Sequence, residues 1–245
     1  MAHRAFVSAL VCLVAAAQMA SAAPMSQRKP VTPQGSTTPT LQQILNGLVV
    51  SGPAIDANAS QNIQLWDNTS GPMTAQIVAD FTGKPSVKFG IYDPQNPDKG
   101  VNLLQDNMKP NDIASVAFND DGSITIKGGK SKKGNGFDGP FGFFAKVPPA
   151  VKTDIPFLFT QPDLNGGQIA AKIFQGNGQT ILQFPGLAPG LFLTSQFLIA
   201  FETNKDGQFN DLIVSVSGLA IPEPAVGLLF ALSLAALSAR RARST

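Results

Sequence analysis

Gln196-Phe197-Leu198-Ile199-Ala200-Phe201, Glu202-Thr203-Asn204-Lys205-Asp206-Gly207-Gln208-Phe209-Asn210-Asp211 and Leu212-Ile213-Val214-Ser215-Val216 form the continuous stretch that decides the fold. Two runs rich in aromatic and β-branched residues flank a polar segment of Asn, Asp and Gly. That is the pattern of two paired strands and their connection. The same grammar runs upstream. Ile63–Trp66, Thr74–Phe81, Val87–Ile91 and Ile124–Lys127 alternate in polarity, and Phe141–Phe144 and Phe157–Phe159 are aromatic runs. Ile169–Phe174 and Ile181–Phe184 complete the series, with Asn, Asp, Gly and Pro between the runs. Ser115–Phe118 and Ile124–Lys127 predict a hairpin closed at Asn119-Asp120-Asp121-Gly122. About ten strands over about 180 residues predict a single antiparallel all-β domain, a β-sandwich or jelly roll. One short helix precedes it, since Leu41, Ile44, Leu45 and Leu48 share a face behind Thr40. Seventeen phenylalanines against one Trp and one Tyr suit a cross-sheet core, because Phe needs no hydrogen-bond partner.

Composition excludes several chemistries. The chain has 18 basic and 16 acidic residues. Setting aside Arg4, Arg240, Arg241, Arg243 and Glu223 at the two ends leaves a body of 14 basic and 15 acidic residues. The basic excess therefore belongs to the ends and gives no reason to expect nucleic acid as a partner. His3 and Cys12 are the only histidine and cysteine, and both lie in the first 22 residues. A body without them has no disulfide, no zinc or haem ligand set of the usual kind, no cysteine nucleophile and no Ser-His-Asp triad. Its acids are nearly all aspartate, a residue of turns and of calcium ligands.

The ends carry sorting information. Residues 1–22 combine basic Arg4, an apolar stretch Ala5–Ala17 and Ala20-Ser21-Ala22, a small-x-small site that predicts cleavage before Ala23. Residues 23–40 contain four prolines and no aromatic residue, and are expected to be a disordered linker. The β-domain is expected over 41–220. Ile221-Pro222-Glu223-Pro224 then leads into the apolar run Ala225–Ala239, which stops at Arg240, Arg241 and Arg243. Fifteen apolar residues make a helix of roughly 22 Å against about 30 Å of hydrocarbon, so the expected single transmembrane helix is a marginal span. Motif, apolar run and basic end together in residues 221–245 resemble the PEP-CTERM sorting signal. That resemblance implies export in a Gram-negative bacterium and transient anchoring in the inner membrane. It also implies cutting by the membrane transpeptidase exosortase and delivery to the cell surface or extracellular matrix.

The body resembles a second group. Leu41-Gln42-Gln43-Ile44-Leu45, Phe89-Gly90-Ile91-Tyr92-Asp93-Pro94-Gln95-Asn96-Pro97 and Phe201-Glu202 through Asn210-Asp211 look, in that order, like an uncharacterised all-β domain of exported bacterial proteins. Its signature is Phe-Glu-Asp, a Gly/Asp-rich loop, then an aromatic residue and Asn-Asp or Asp-Asp. The chain departs from it at Thr203, where the family has Asp. Independently of that likeness, oxygen donors at Glu202, Asn204, Asp206, Asn210 and Asp211, with Gly207 at the bend, follow the rhythm of a calcium-binding turn. Ile213 stands where an EF-hand has its bidentate acid. The alternative is a solvated hairpin turn, Asn204-Lys205-Asp206-Gly207.

Trp66 is a candidate aromatic platform for a sugar, with burial in the core as the other reading, and Tyr92 is a candidate sugar-binding rim, with a rigid turn between strands as the other. Asp93 and Asp98 are expected to cap a rigid turn around Pro94 and Pro97. Lys130, Lys132 and Lys133 lie in a glycine-rich stretch, either a solvated hairpin tip or a basic loop for acidic polymer or lipid headgroups. The function expected is a non-catalytic surface or matrix protein, with calcium as a candidate ligand of its β-domain. An exopolysaccharide-binding module is the alternative, and a hydrolase using carboxylates alone is the third reading.

Overall fold

The computed structural model describes residues 38–67, 71–82, 87–105, 109–128, 133–135, 139–146, 157–203 and 206–222. Ala20, Ala22 and Ala23 of the expected signal peptide and cleavage site, most of the expected linker, Asn204, Glu223, Pro224, the run Ala225–Ala239, Arg240, Arg241 and Arg243 lie outside the described residues. Among the described residues no helix is long and apolar enough to cross a membrane.

The described chain opens with helix α1 (Leu41–Leu48) and continues through fourteen strands and one 3-10 turn. Thr40 starts the helix with a reciprocal capping pair. Its backbone N–H donates to Gln43 Oε1 at 2.8 Å, and its Oγ1 accepts from the Gln43 backbone N–H at 3.3 Å. Leu41, Leu45 and Leu48 are buried on one face, as the spacing predicts.

The strands are β1 (Val49–Ser51), β2 (Met73–Asp80), β3 (Lys88–Asp93), β4 (Asn96–Leu104), β5 (Ile113–Phe118), β6 (Ser123–Lys127) and β7 (Lys133–Asn135). They continue as β8 (Gly142–Lys146), β9 (Phe157–Phe159), β10 (Ala171–Gln175), β11 (Ile181–Leu182), β12 (Gly190–Leu191), β13 (Gln196–Phe201) and β14 (Leu212–Ser217). They build a seven-stranded sheet in the order β10-β13-β14-β2-β5-β6-β7, a four-stranded sheet β4-β3-β8-β9 and a small sheet β1-β11-β12. Every pairing is antiparallel, so the described fold is all-β with one short helix.

Alternation along β13 explains the layering. Phe197, Ile199 and Phe201 face a core shared with Trp66, Phe89, Phe141 and Phe143, the last three from the four-stranded sheet or beside it. Leu198 and Ala200 face the other way, toward α1 leucines, Leu182, Phe184 and Phe192. One face of the seven-stranded sheet is thus covered by the four-stranded sheet, in the manner of a sandwich, and the other by α1 and the small sheet. Trp66 stands edge-on to Phe143 and Phe197, at centroid distances of 4.8 and 5.8 Å.

Tyr92, Phe144 and Phe159 form a third, smaller cluster on the far face of the four-stranded sheet. Glycine makes room for it: a Cβ on Gly142 would stand 2.3 Å from the Tyr92 ring, and one on Gly90 2.6 Å from the Phe144 ring. The 3-10 turn Pro162–Asn165 closes over this cluster. Asn165 fixes it there, with Oδ1 accepting from Phe159 N–H at 2.9 Å and Nδ2 donating to Phe159 O at 2.8 Å.

Three expectations are corrected. Ile63–Trp66 does not form a strand: Gln61 N–H donates to Ile173 O, Gln64 O accepts from Thr160 Oγ1, and only Trp66 bridges, to Phe141. Isolated bonds to separate partners hold that segment, so no ladder can develop. Asp98 is not a turn cap, because β4 already begins at Asn96 and Asp98 lies within it. The turn is only Pro94-Gln95, capped by Asp93, whose Oδ1 accepts from Gln95 N–H at 2.9 Å. Pro97 fits because β4 is an edge strand, where a missing N–H breaks no ladder. The strand expected over Ile169–Phe174 begins at Ala171, leaving Ile169 65% exposed.

Burial of Tyr92 gives a direct optical test. Its hydroxyl donates to Gln161 Oε1 at 2.9 Å, and burial raises the phenol from 10.0 to about 12, against a smaller opposing effect of the hydrogen bonds it meets. An unfolded tyrosine ionises near pH 10. Between about pH 10 and about 12 the unfolded chain therefore releases a proton that the fold retains, so stability falls across that window. Because the chain has one tyrosine, absorbance titration at about 295 nm reads this group alone. The expected midpoint lies well above 10 in the native chain and returns toward 10 in denaturant; a native midpoint near 10 would contradict the packing.

Candidate functional site

The connection between β13 and β14 gathers most of the candidate metal ligands. Phe201 and Leu212 are the last paired residues, so the loop spans ten residues, 202–211, where a four-residue hairpin turn was one expectation. Its ends are buried: Glu202 is 8% exposed, Thr203 2%, Asn210 1% and Asp211 2%. Asp206, Gly207 and Gln208 at its tip face solvent.

Buried carboxylates demand donors, and here the loop's own backbone supplies them. Asp211 Oδ2 accepts from Thr203 N–H at 2.6 Å and from Thr203 Oγ1 at 3.1 Å, which ties the two ends of the loop together. Glu202 Oε2 accepts from Phe209 N–H at 3.0 Å, and Oε1 accepts a longer bond from Asp206 N–H at 3.4 Å. The exposed Asp206 turns its Oδ1 to Gln208 N–H at 2.9 Å, an Asx turn that leads into Gly207 at φ +75°. Thr203 thus donates twice to Asp211; the hydroxyl bond, unlike the backbone one, is a contribution that a carboxylate at this position could not make at neutral pH.

Phe209 has φ +52°, a left-handed conformation that an aromatic residue adopts only when held. Glu202 holds its N–H, and Lys172 Nζ stands 5.0 Å above its ring. Asn210 points its Nδ2 at Pro39 O, 2.7 Å away, and so fastens the chain entering α1. Its Oδ1 is buried and has no protein partner among the described residues. Neither Lys172 nor Pro39 was legible as part of this site, since each comes from a segment far away in sequence.

A surface cavity of about 420 Å³ lies beside the loop. Thr40, Leu41, Gln42, Ala57, Asn58, Lys172, Gly207 and Gln208 line it, so it presents amides and one ammonium but no carboxylate. Lys172 Nζ is held there by Ala57 O at 3.1 Å.

The other candidates lie elsewhere. Trp66 and Tyr92 are both 0% exposed. This corrects the expectation of a sugar platform and a sugar-binding rim: each ring is enclosed in an aromatic cluster, and neither presents a face to solvent. Asp120 and Asp121 close the β5–β6 hairpin, where Asp121 Oδ1 accepts from Ser123 N–H at 2.9 Å and Oγ at 2.6 Å. Lys130 and Lys132 lie outside the described residues, and of Lys133 only the backbone, in β7, is described.

Comparison with family models, with curated proteins and with solved structures gives no match to this chain. The loop is therefore read on its own chemistry.

Asp211→Asn replaces a charged acceptor in a buried, doubly donated position. It should lower stability by about 1–3 kcal/mol, a fall of several degrees in melting midpoint. Exposed Asp206→Ala should cost well under half as much. Equal effects of the two would show that Asp211 does not hold the loop.

Proposed function

We propose that this chain is an exported, exosortase-sorted surface or matrix protein whose β-domain is non-catalytic. The supporting observation is where the last described pairing lies. Ala220 pairs with Asp67, with Asp67 N–H donating to Ala220 O at 2.9 Å, and Pro222-Glu223-Pro224 follows almost at once. On this reading a cut at the motif falls just past the last described pairing and leaves the domain whole. The apolar run Ala225–Ala239 is, on this reading, the transient inner-membrane helix, and Arg240, Arg241 and Arg243 stay in the cytoplasm. The carboxylates at the β13–β14 connection serve their own loop, and the cavity beside it has no acid, which favours a structural or binding role over hydrolysis. On the second reading, exopolysaccharide binding, the amide-lined cavity would be the binding site.

Calcium is a second proposal, carried by the orphan Oδ1 of Asn210. Glu202, Asp206, Asn210 and Asp211, with Asn204, would hold the ion, which would offset two of the three carboxylate charges and fasten the loop. To take it, Glu202 and Asp211 would have to share oxygens now hydrogen-bonded to the backbone.

In cells that contain exosortase, the surface form should end near Pro222-Glu223-Pro224 by mass, and Glu223→Ala should accumulate as uncut, membrane-held precursor. Uncut protein soluble in the cytoplasm would overturn the sorting proposal. For calcium, a site filled at a hundred times its dissociation constant adds about 2.7 kcal/mol, several degrees of melting midpoint. That shift should vanish in Asp206→Ala; identical melting with calcium and with chelator would remove the ion from the account.

A further inference from the structure

Strand register defines two ends of the seven-stranded sheet. At one end lies the 202–211 loop, with Glu202 N–H bonded to Ala170 O and Ile169 beyond it. At the other, Gln196 pairs with Ser217, and Leu219 N–H donates to Ser195 O at 3.3 Å. The last described residues, 219–222, follow the strand that ends here. Three large apolar side chains are exposed along the same path: Leu191 at 45%, Leu193 at 51% and Ile221 at 39%. The Ser195–Leu219 bond lies two residues after Leu193 and two before Ile221, which puts these two side chains next along the chain to the last pairing at this end, with Leu191 two residues further upstream.

What stands opposite them follows from chain length. Only Ile221-Pro222-Glu223-Pro224 separates Ala220, which the bridge to Asp67 pins to the fold, from the start of the apolar run at Ala225. Five residue steps reach roughly 18 Å at full extension, and the headgroup layer itself takes up roughly 5–8 Å of that. If the run enters the bilayer, the exit end stands within roughly 10–13 Å of the membrane surface even with the linker taut. Tethering makes further approach intramolecular, so a few half-exposed leucines suffice to close the gap.

We infer that this end of the domain docks on the bilayer surface through Leu191, Leu193 and Ile221 while the sorting segment is embedded. The inference rests on the proposed membrane insertion of Ala225–Ala239. The contact is apolar: Gly190–Ser195 and Leu219–Pro222 contain no charged residue. By register the acidic β5–β6 tip, Asp120 and Asp121, lies at the same end, because Met73 pairs with Val116 and Thr74 with Ser217. Attraction to anionic headgroups is therefore not the driving force, and salt should not weaken the docking. Docking would also hold the Pro222-Glu223-Pro224 linker at the membrane surface, where a membrane enzyme can reach it.

The test uses the full chain, with Cys12, its only cysteine, replaced by serine. Single cysteines labelled with an environment-sensitive dye replace Leu193 at the exit end, Ile169 at the far end, and Ser233 within the apolar run. The chains are reconstituted in phosphatidylcholine vesicles containing spin-labelled lipid, with Trp66 emission as the check on folding. Docking predicts a blue shift and lipid quenching at Leu193→Cys and Ser233→Cys, unchanged by salt, and neither effect at Ile169→Cys. Quenching at Ser233→Cys with Leu193→Cys behaving like Ile169→Cys overturns the docking alone. No quenching at Ser233→Cys refutes the membrane insertion, and the docking falls with it.

Discussion

Both faces of the sheet are covered at its centre, where β13, β14 and β2 run side by side, and a sheet buried in this way cannot use water to satisfy polar groups near its ends. The connection between β13 and β14 emerges from that centre, so the first and last residues of the loop are themselves buried. Glu202 and Asp211 answer the constraint. Each carboxylate accepts backbone N–H groups that the turn of the chain would otherwise leave without partners. The left-handed Phe209 and the hold of Asn210 on Pro39 follow from the same arrangement. Removing the carboxylates would therefore loosen the loop, the approach to α1 and the cavity between them together.

How much of this could be read in the sequence depended on range. Period-two alternation identified β2, β3 and β6, runs of aromatic and β-branched residues identified β13 and β14, and the capped leucine face identified α1, because those signals are local. The Asn119–Gly122 hairpin was legible for the same reason. β1, β7 and β12, of two or three residues, were not, since tertiary partners define strands that short. β4 was hidden by Pro97 and by acids and amides that an edge strand can place in water. Ile63–Trp66 had the pattern of a strand but meets two different partners, which alternation cannot reveal.

The loop was legible as a set of oxygen donors and illegible as a geometry. The spacing of Glu202, Asp206, Asn210 and Asp211 singled out the right residues, but not that two of them turn inward onto N–H groups of their own loop. Trp66 and Tyr92 illustrate the opposite difficulty. A lone Trp and a lone Tyr in a phenylalanine-rich chain attract a ligand-binding reading, yet Gly90 and Gly142 make a floor for aromatic rings on the four-stranded sheet. Those glycines were the signal that the region packs on itself.

Hydrogen bonds close both described ends of the seven-stranded sheet, through Glu202 and Asp211 at one and the Ser195–Leu219 pair at the other. The claim most central to this account is that Glu202 and Asp211 hold the β13–β14 connection through backbone N–H groups. Amide hydrogen exchange at Thr203 and Phe209 tests it most directly. The account predicts slow exchange at both, in calcium or in chelator, with Phe209 released by Glu202→Gln and Thr203 by Asp211→Asn. Exchange at both amides as fast as at the exposed tip residue Gly207 would contradict it.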